Sequence, residues 1–261
     1  MNTQGSKWPN SLTLVRHIQS GFQHLKLQKQ GDPLHGQFKR AYTLNPGSEV
    51  TQSLARQVWA KYPPKHGDHD TPTTTEGQAS AVVMAQALKE RIVVPDVIYV
   101  SPYGRTWTTL EQMQKGWPDL KNVKTYEDYR LRELDHGLAS IYNDWRVFFA
   151  LHPEQRMLHT FQGDYWYRWP QGENVPDVQF RARSLNDTFM REFAGQNVLV
   201  VSHHLYILAA MANYLRWTDK KFLWYDTYRK PLNAGVTFFN ADPTKGKRGR
   251  LKLQKYNLKL Y

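Results

Sequence analysis

Leu12-Thr13-Leu14-Val15-Arg16-His17 is a short run of strand-forming residues that stops abruptly at two side chains able to handle an anion. Two other stretches have the same form: Val97-Ile98-Tyr99-Val100 before Ser101-Pro102-Tyr103-Gly104-Arg105, and Val198-Leu199-Val200-Val201 before Ser202-His203-His204. Their length and β-branched content suit strands buried on both faces of a parallel sheet. Helical spacing lies between and after them. Residues 76–91 place Ala79, Val82, Val83, Ala87 and Leu88 on one face, with Thr73 and Glu76 forming a capping-box pattern at the start. Residues 104–115, 177–193 and 205–215 also read as helices, and 233–239 and 251–255 as late strands at a sheet edge. Strand alternating with helix predicts an α/β fold, a three-layer sandwich around a mainly parallel central sheet. Ligands of such sheets bind beyond the carboxyl ends of the strands. The pattern therefore predicts one crevice surrounded by Arg16, His17, Arg105 and His203. Two guanidinium groups and two imidazoles suit a phosphate, since arginine offers forked donors to its oxygens and a neutral imidazole can attack phosphorus.

Composition limits the chemistry. The 261 residues include no cysteine, which excludes disulfides, zinc-thiolate sites and cysteine nucleophiles. Prolines and glycines are dispersed and no repeat is found, so residues 1–261 read as a single domain. Within it stand an aromatic-rich insertion at about 141–171 and a basic tail at 242–261. That tail holds Lys245, Lys247, Arg248, Arg250, Lys252, Lys255 and Lys259 against Asp242 alone, half of the net charge of +12. A basic tail reads first as a solvated edge, so nucleic acid is not expected as a partner. The first twelve residues lack the apolar centre of a secretory signal, and residues 197–215 are interrupted by Ser202, His203, His204 and Asn213. A soluble cytoplasmic protein with no membrane partner is the expectation.

Four segments resemble one known family. Leu14-Val15-Arg16-His17-Ile18-Gln19-Ser20 is similar to the LVRHGES signature of the histidine phosphatases, with Gln23 at the position of a following polar residue. Ser101-Pro102-Tyr103-Gly104-Arg105-Thr106 resembles the S-P-x-x-R-A segment, residues 131–137 the E-x-x-x-G acid segment, and Val201-Ser202-His203-His204 the V-S-H-G segment. Thr75-Glu76-Gly77-Gln78-Ala79 matches the family's helix start more loosely. Four motifs in order, each after the right kind of strand, carry far more weight than one Arg-His pair in a chain with ten histidines. The resemblance implies a phosphoglycerate mutase-like fold of the branch 1 type. In the other branch the acid is an aspartate directly after the second histidine, a position held here by His204. Ile18 and His204 both stand where the family usually has glycine, which predicts a narrowed pocket or tilted loop with the backbone N–H groups retained.

The resemblance further implies a metal-independent phosphomonoesterase without cofactor, acting on a small phosphorylated metabolite. His17 is the expected nucleophile, with its second ring nitrogen donating to a backbone carbonyl. Arg16 and Arg105 would hold the phosphate oxygens, joined by His203, Gln23 and His204. Gln19 and Ser20 read equally as further donors or as helix-capping residues. Glu133 is the expected general acid and later base, with Asp135 as its competitor two residues on. His66 and His69, beside Asp68 and Asp70, could chelate a metal, although a solvated loop is the simpler reading and no metal is expected. The aromatics at 141–171 form either a pocket wall over the crevice or a packed subdomain. A phosphoglycerate mutase-type phosphotransferase and a catalytically weak phosphate-binding module remain the alternative functions.

Overall fold

The three apolar runs become the middle of one sheet because they have no polar face to offer water. In the computed structural model, which describes residues 7–246 and 248–261, the elements follow in this order: β1 (Ser11–Arg16), α1 (Gly21–Gln30), α2 (Pro33–Leu44), α3 (Glu49–Lys61), α4 (Thr75–Lys89), β2 (Val97–Val100), α5 (Gly104–Gly116), β3 (Lys124–Glu127), α6 (Trp145–Leu151), α7 (Pro153–Trp166), α8 (Val175–Glu192), β4 (Asn197–Ser202), α9 (His204–Leu215), α10 (Asp219–Tyr228), β5 (Val236–Asp242) and β6 (Arg250–Leu258). The sheet order is β3-β2-β4-β1-β5-β6, with helices on both sides. β1, β2, β3 and β4 pair in parallel, while β5 and β6 close one edge as an antiparallel pair. The α/β sandwich with a mainly parallel sheet is therefore present.

Two compact units share the chain. The first comprises residues 1–20, 72–133 and 177–261, and the second 21–71 and 134–176. In the first, Val15, Ile98, Val100, Leu199 and Val201 of the strands bury against Ala81, Met84, Ala85 and Leu88 of α4 and Leu110 and Met113 of α5. Gly116 lets α4 and α5 meet closely, since a Cβ there would stand 2.2 Å from the Val82 carbonyl oxygen. In the second unit, Phe38 of α2 and Ala55 and Val58 of α3 pack with Tyr142, Phe148, Phe149 and Tyr167. Phe149 stacks on Trp169 at 5.5 Å between centroids. The aromatic stretch is thus largely a core shared with α2 and α3, although Phe161 and Trp166 stay exposed.

Local differences from the expected elements have physical causes. The cap of α4 is Thr74, whose hydroxyl accepts from the Gly77 N–H, and not Thr73. Thr73 instead pairs with Ser20 in an isolated bridge and accepts from Gln78 Nε2. β5 begins at Val236, three residues late, because the Gly235 N–H closes a turn on the Leu232 carbonyl and Asn233 spends its side chain on the β1 loop. β3 was not foreseen: it is a half-exposed edge strand with no apolar run to announce it. Among the described residues no helix is long and apolar enough to cross a membrane.

Candidate active site

Parallel strands deliver their carboxyl ends to one side, and the first unit uses three of them. β1 ends at Arg16 and hands on to His17, β2 is followed by Ser101 and Arg105, and β4 is followed by His203. The rings of His17 and His203 lie 5.1 Å apart between centroids. Tyr103 packs edge-on against His203 at 4.9 Å and carries the Arg105 guanidinium over its face at 4.7 Å. His17, Arg105 and His203 are all buried.

Hydrogen bonding assigns the ring nitrogens. His17 Nδ1 lies 2.7 Å from the Ile18 carbonyl oxygen, an acceptor only, so Nδ1 carries the proton and donates. Nε2 is left with its lone pair. His203 Nε2 lies 2.8 Å from Ser101 Oγ. With the serine donating to Nε2, the His203 proton stands on Nδ1. That Nδ1 and the Arg16 Nε are buried polar atoms with no hydrogen-bond partner among the described residues. Two buried donors without acceptors are costly unless an anion supplies the oxygens.

Electrostatics keep both imidazoles neutral. Burial, then Arg105 and Arg16, hold the His17 pKa well below its ordinary value, against a small opposing effect of the Ile18 hydrogen bond. Burial, Arg105, His17 and Arg16 do the same to His203. Burial also lowers the Arg16 pKa, partly offset by the charge of Glu133. A charged imidazole is disfavoured here, and the His17 Nε2 lone pair is preserved.

Glu133 is half-buried, and its Oε1 accepts from the Leu205 N–H at the start of α9. Asp135 belongs to the second unit, where its carboxylate accepts from the Gly137 N–H in its own turn. Gly137 needs a left-handed backbone (φ +48°), and a Cβ there would stand 2.1 Å from the Pro170 carbonyl oxygen.

The two non-glycine positions behave differently from expectation. The Ile18 side chain points into the core cluster and is fully buried, and its N–H is taken by Thr109 Oγ1 at 3.0 Å. That backbone donor is therefore not available to a phosphate. His204 opens α9 and sets Nε2 2.8 Å from Asp226 Oδ1; burial raises the pKa of that aspartate, but His204 and Lys230 together bring it below its ordinary value. Gln23 lies in the first turn of α1, in the other unit. The Gln19 side chain accepts from the Thr74 hydroxyl, and Ser20 is buried. Among the described residues no three His, Cys, Asp or Glu side chains gather to hold a metal, including those around His66 and His69.

Three supporting residues escaped sequence reasoning. Thr109 donates to the Arg105 carbonyl while accepting from Ile18, so one hydroxyl ties the two arginine-bearing segments together. Asn233 Nδ2 donates to the carbonyls of His17 and Ile18. Arg181 donates to the carbonyls of Arg130, Arg132 and Glu133, fixing the segment that carries the carboxylate.

Residues 56–252 match the model of the histidine phosphatase superfamily, branch 1. That span begins after Arg16 and His17, so for these two the case rests on motif and geometry. A phosphoglycerate mutase-like protein of Arabidopsis thaliana is 28% identical over 175 residues, 59% of this chain and 60% of its own. A probable phosphoglycerate mutase of Yersinia enterocolitica is 30% identical over 151 residues, 56% of this chain and 64% of its own. The matched stretch thus spans less than two thirds of either curated relative. The phosphate complex of a mycobacterial glucosyl-3-phosphoglycerate phosphatase superposes with a TM-score of 0.64 at 19% identity, covering 96% of this chain and 98% of that one. At that identity the likeness concerns the fold.

Proposed function

The chain belongs to branch 1 of the histidine phosphatase superfamily, and from that premise we propose that it is a metal-independent phosphomonoesterase working through a phosphohistidine on His17. The observation that carries this reading is the hydrogen bond from His17 Nδ1 to the Ile18 carbonyl, which leaves Nε2 unprotonated and nucleophilic.

Arg16, Arg105 and the Nδ1–H of His203 hold the non-bridging oxygens of a small phosphate ester. Their charge neutralises what accumulates on the phosphoryl group in transfer. The Nε2 lone pair forms the N–P bond as the P–O bond to the leaving group breaks. Glu133 gives its proton to the departing oxygen. Water then loses a proton to Glu133 and attacks phosphorus, the N–P bond breaks, and inorganic phosphate leaves with the lone pair restored to His17. Glu133 is favoured over Asp135 because its charge acts on Arg16, one of the residues of the crevice. His204, held by Asp226 beside the nucleophile, is placed to meet the phosphate or its leaving group only through groups other than Nε2.

The names of two relatives favour a mutase as the second reading. It differs in requiring a bisphosphorylated primer and in protecting the phosphohistidine from water. One experiment separates them. The protein is mixed with a 32P-labelled aryl phosphate, quenched, and mapped for acid-labile, base-stable label. Label on His17 with steady release of phosphate, both lost in His17→Asn, supports the phosphatase, and Glu133→Gln should hold the label longer. Label that turns over only with a bisphosphorylated primer supports the mutase. No label on His17 in either case removes the phosphohistidine mechanism.

A further inference from the structure

Four arginines line a cleft at the opposite end of the first unit from His17. Arg183 comes from the middle of α8, Arg216 follows the last turn of α9, Arg248 lies in the turn between β5 and β6, and Arg250 opens β6. Trp8, just ahead of β1, and Tyr214 complete the aromatic part of the wall. The topology fixes this end. Ser11, the first residue of β1, pairs with Asn240 near the close of β5, so the hairpin turn sits at the amino ends of the parallel strands. α9 starts at His204 and runs for 12 residues, roughly 18 Å at 1.5 Å per residue, before it reaches Arg216.

Charge is the unusual feature. Three arginines elsewhere have carboxylate partners: Arg130 with Asp128, Arg146 with Asp144 and Arg191 with Glu192. Among the described residues none of the four cleft arginines forms such a pair, and the cleft contains a single carboxylate, Asp187. Gathering like charges around one concavity costs repulsion that an anion would relieve. The cleft, at about 410 Å³, is of a size that takes small ligands.

The turn that carries Arg248 and leads into Arg250 is braced. The Lys7 N–H donates to the Arg248 carbonyl and the Trp8 indole N–H to the Gly249 carbonyl. Gly246 and Gly249 adopt φ of +71° and +74°, which holds Arg248 between two left-handed residues. Trp8 in turn meets Tyr214 edge-on at 5.9 Å, and Tyr214 donates to Asn186 at 2.5 Å. Guanidinium forks match phosphate oxygens two at a time, and four of them exceed the needs of one phosphoryl group.

We propose that this cleft is a second anion site, which binds a polyphosphate of two or more phosphoryl groups independently of the chemistry at His17. The phosphoryl chain has two possible sources, an inorganic polyphosphate or a nucleoside polyphosphate whose base uses the Trp8 wall.

Calorimetric titration of the full chain with tripolyphosphate and with the non-hydrolysable imido analogue of ATP tests it, using three proteins. These are the wild type, Arg105→Ala to disable the phosphate cradle beside His17, and the double variant Arg183→Gln, Arg250→Gln, whose positions are exposed. Binding that survives Arg105→Ala and weakens at least tenfold in the double variant is expected. Similar affinities for the two probes assign the inorganic source. A tenfold preference for the nucleotide, reduced by Trp8→Phe, assigns the nucleoside. Unchanged melting temperature and aryl phosphate turnover in the double variant exclude a folding defect, and Arg216→Gln provides the same reading should that control fail. The proposal is overturned if neither probe binds, or if binding is lost with Arg105→Ala and kept in the double variant.

Discussion

Ile18 shows how one side chain can leave a family's pattern without entering its site. A glycine at this position would expose backbone, whereas isoleucine sends its side chain into the cluster with Val15, Ala81 and Met84 and gives its N–H to Thr109. Its substitution is therefore a matter of stability. Ile18→Ala removes fully buried carbons and should cost about 2–5 kcal/mol, while Ile18→Val should cost about 0.5–1.5 kcal/mol. Urea unfolding of both variants measures this. A widened pocket, seen as faster turnover per folded molecule with no loss of stability, would contradict it. The residues proposed to hold the phosphate were legible because each stands at the end of an apolar run or inside a signature. Thr109, Asn233 and Arg181 were not. Their work is to hydrogen-bond backbone groups remote in sequence, the Ile18 N–H for Thr109 and carbonyls for Asn233 and Arg181, as Asn233 does 216 positions from His17, and no local pattern records that.

At the scale of elements, β1, β2 and β4 could be read because strands buried on both faces must be apolar throughout. β3 could not, since an exposed edge needs no such run. α2 and α3 also went unread, because their apolar faces complete a core with the aromatic stretch about 80 or more positions away, as in the bond from Trp59 Nε1 to the Ile141 carbonyl. Helix starts have a finer signal that spacing alone resolves to within one residue. Thr73 and Thr74 are adjacent, and only Thr74 has the extended backbone and the hydroxyl bond to the Gly77 N–H that cap α4. It also donates to Gln19 Oε1, joining the cap to the loop after His17. Thr74→Ala should destabilise the protein by about 1–2 kcal/mol, the upper part of the range for a lost cap. Thr73→Ala forfeits a hydroxyl contact to Gln78 alone and should cost less. Equal losses in thermal unfolding of the two variants would restore the capping box at Thr73.

Across the whole molecule, burying two neutral imidazoles side by side links folding to acidity. His17 and His203 are 3% and 0% exposed, and burial together with the two arginines depresses both pKa values. In the unfolded chain each would titrate near its ordinary value of about 6.5. Below that pH the unfolded state binds the proton and the folded state does not, so stability is lost as pH falls. Above it both states are neutral and the effect vanishes. Each ring thus contributes a loss approaching about 1.4 kcal/mol per pH unit, from about pH 6.5 down to its depressed folded value. Removing one ring isolates its share. Between pH 6.5 and 5.5, His17→Asn should lose about 1 kcal/mol less unfolding free energy than the wild type, whatever its stability at neutral pH. Chemical unfolding at the two pH values measures the difference. An identical acid-side loss in both proteins would mean that His17 takes up its proton in the folded state as easily as in the unfolded one. The neutral nucleophile required for attack on phosphorus would then be absent at mildly acidic pH.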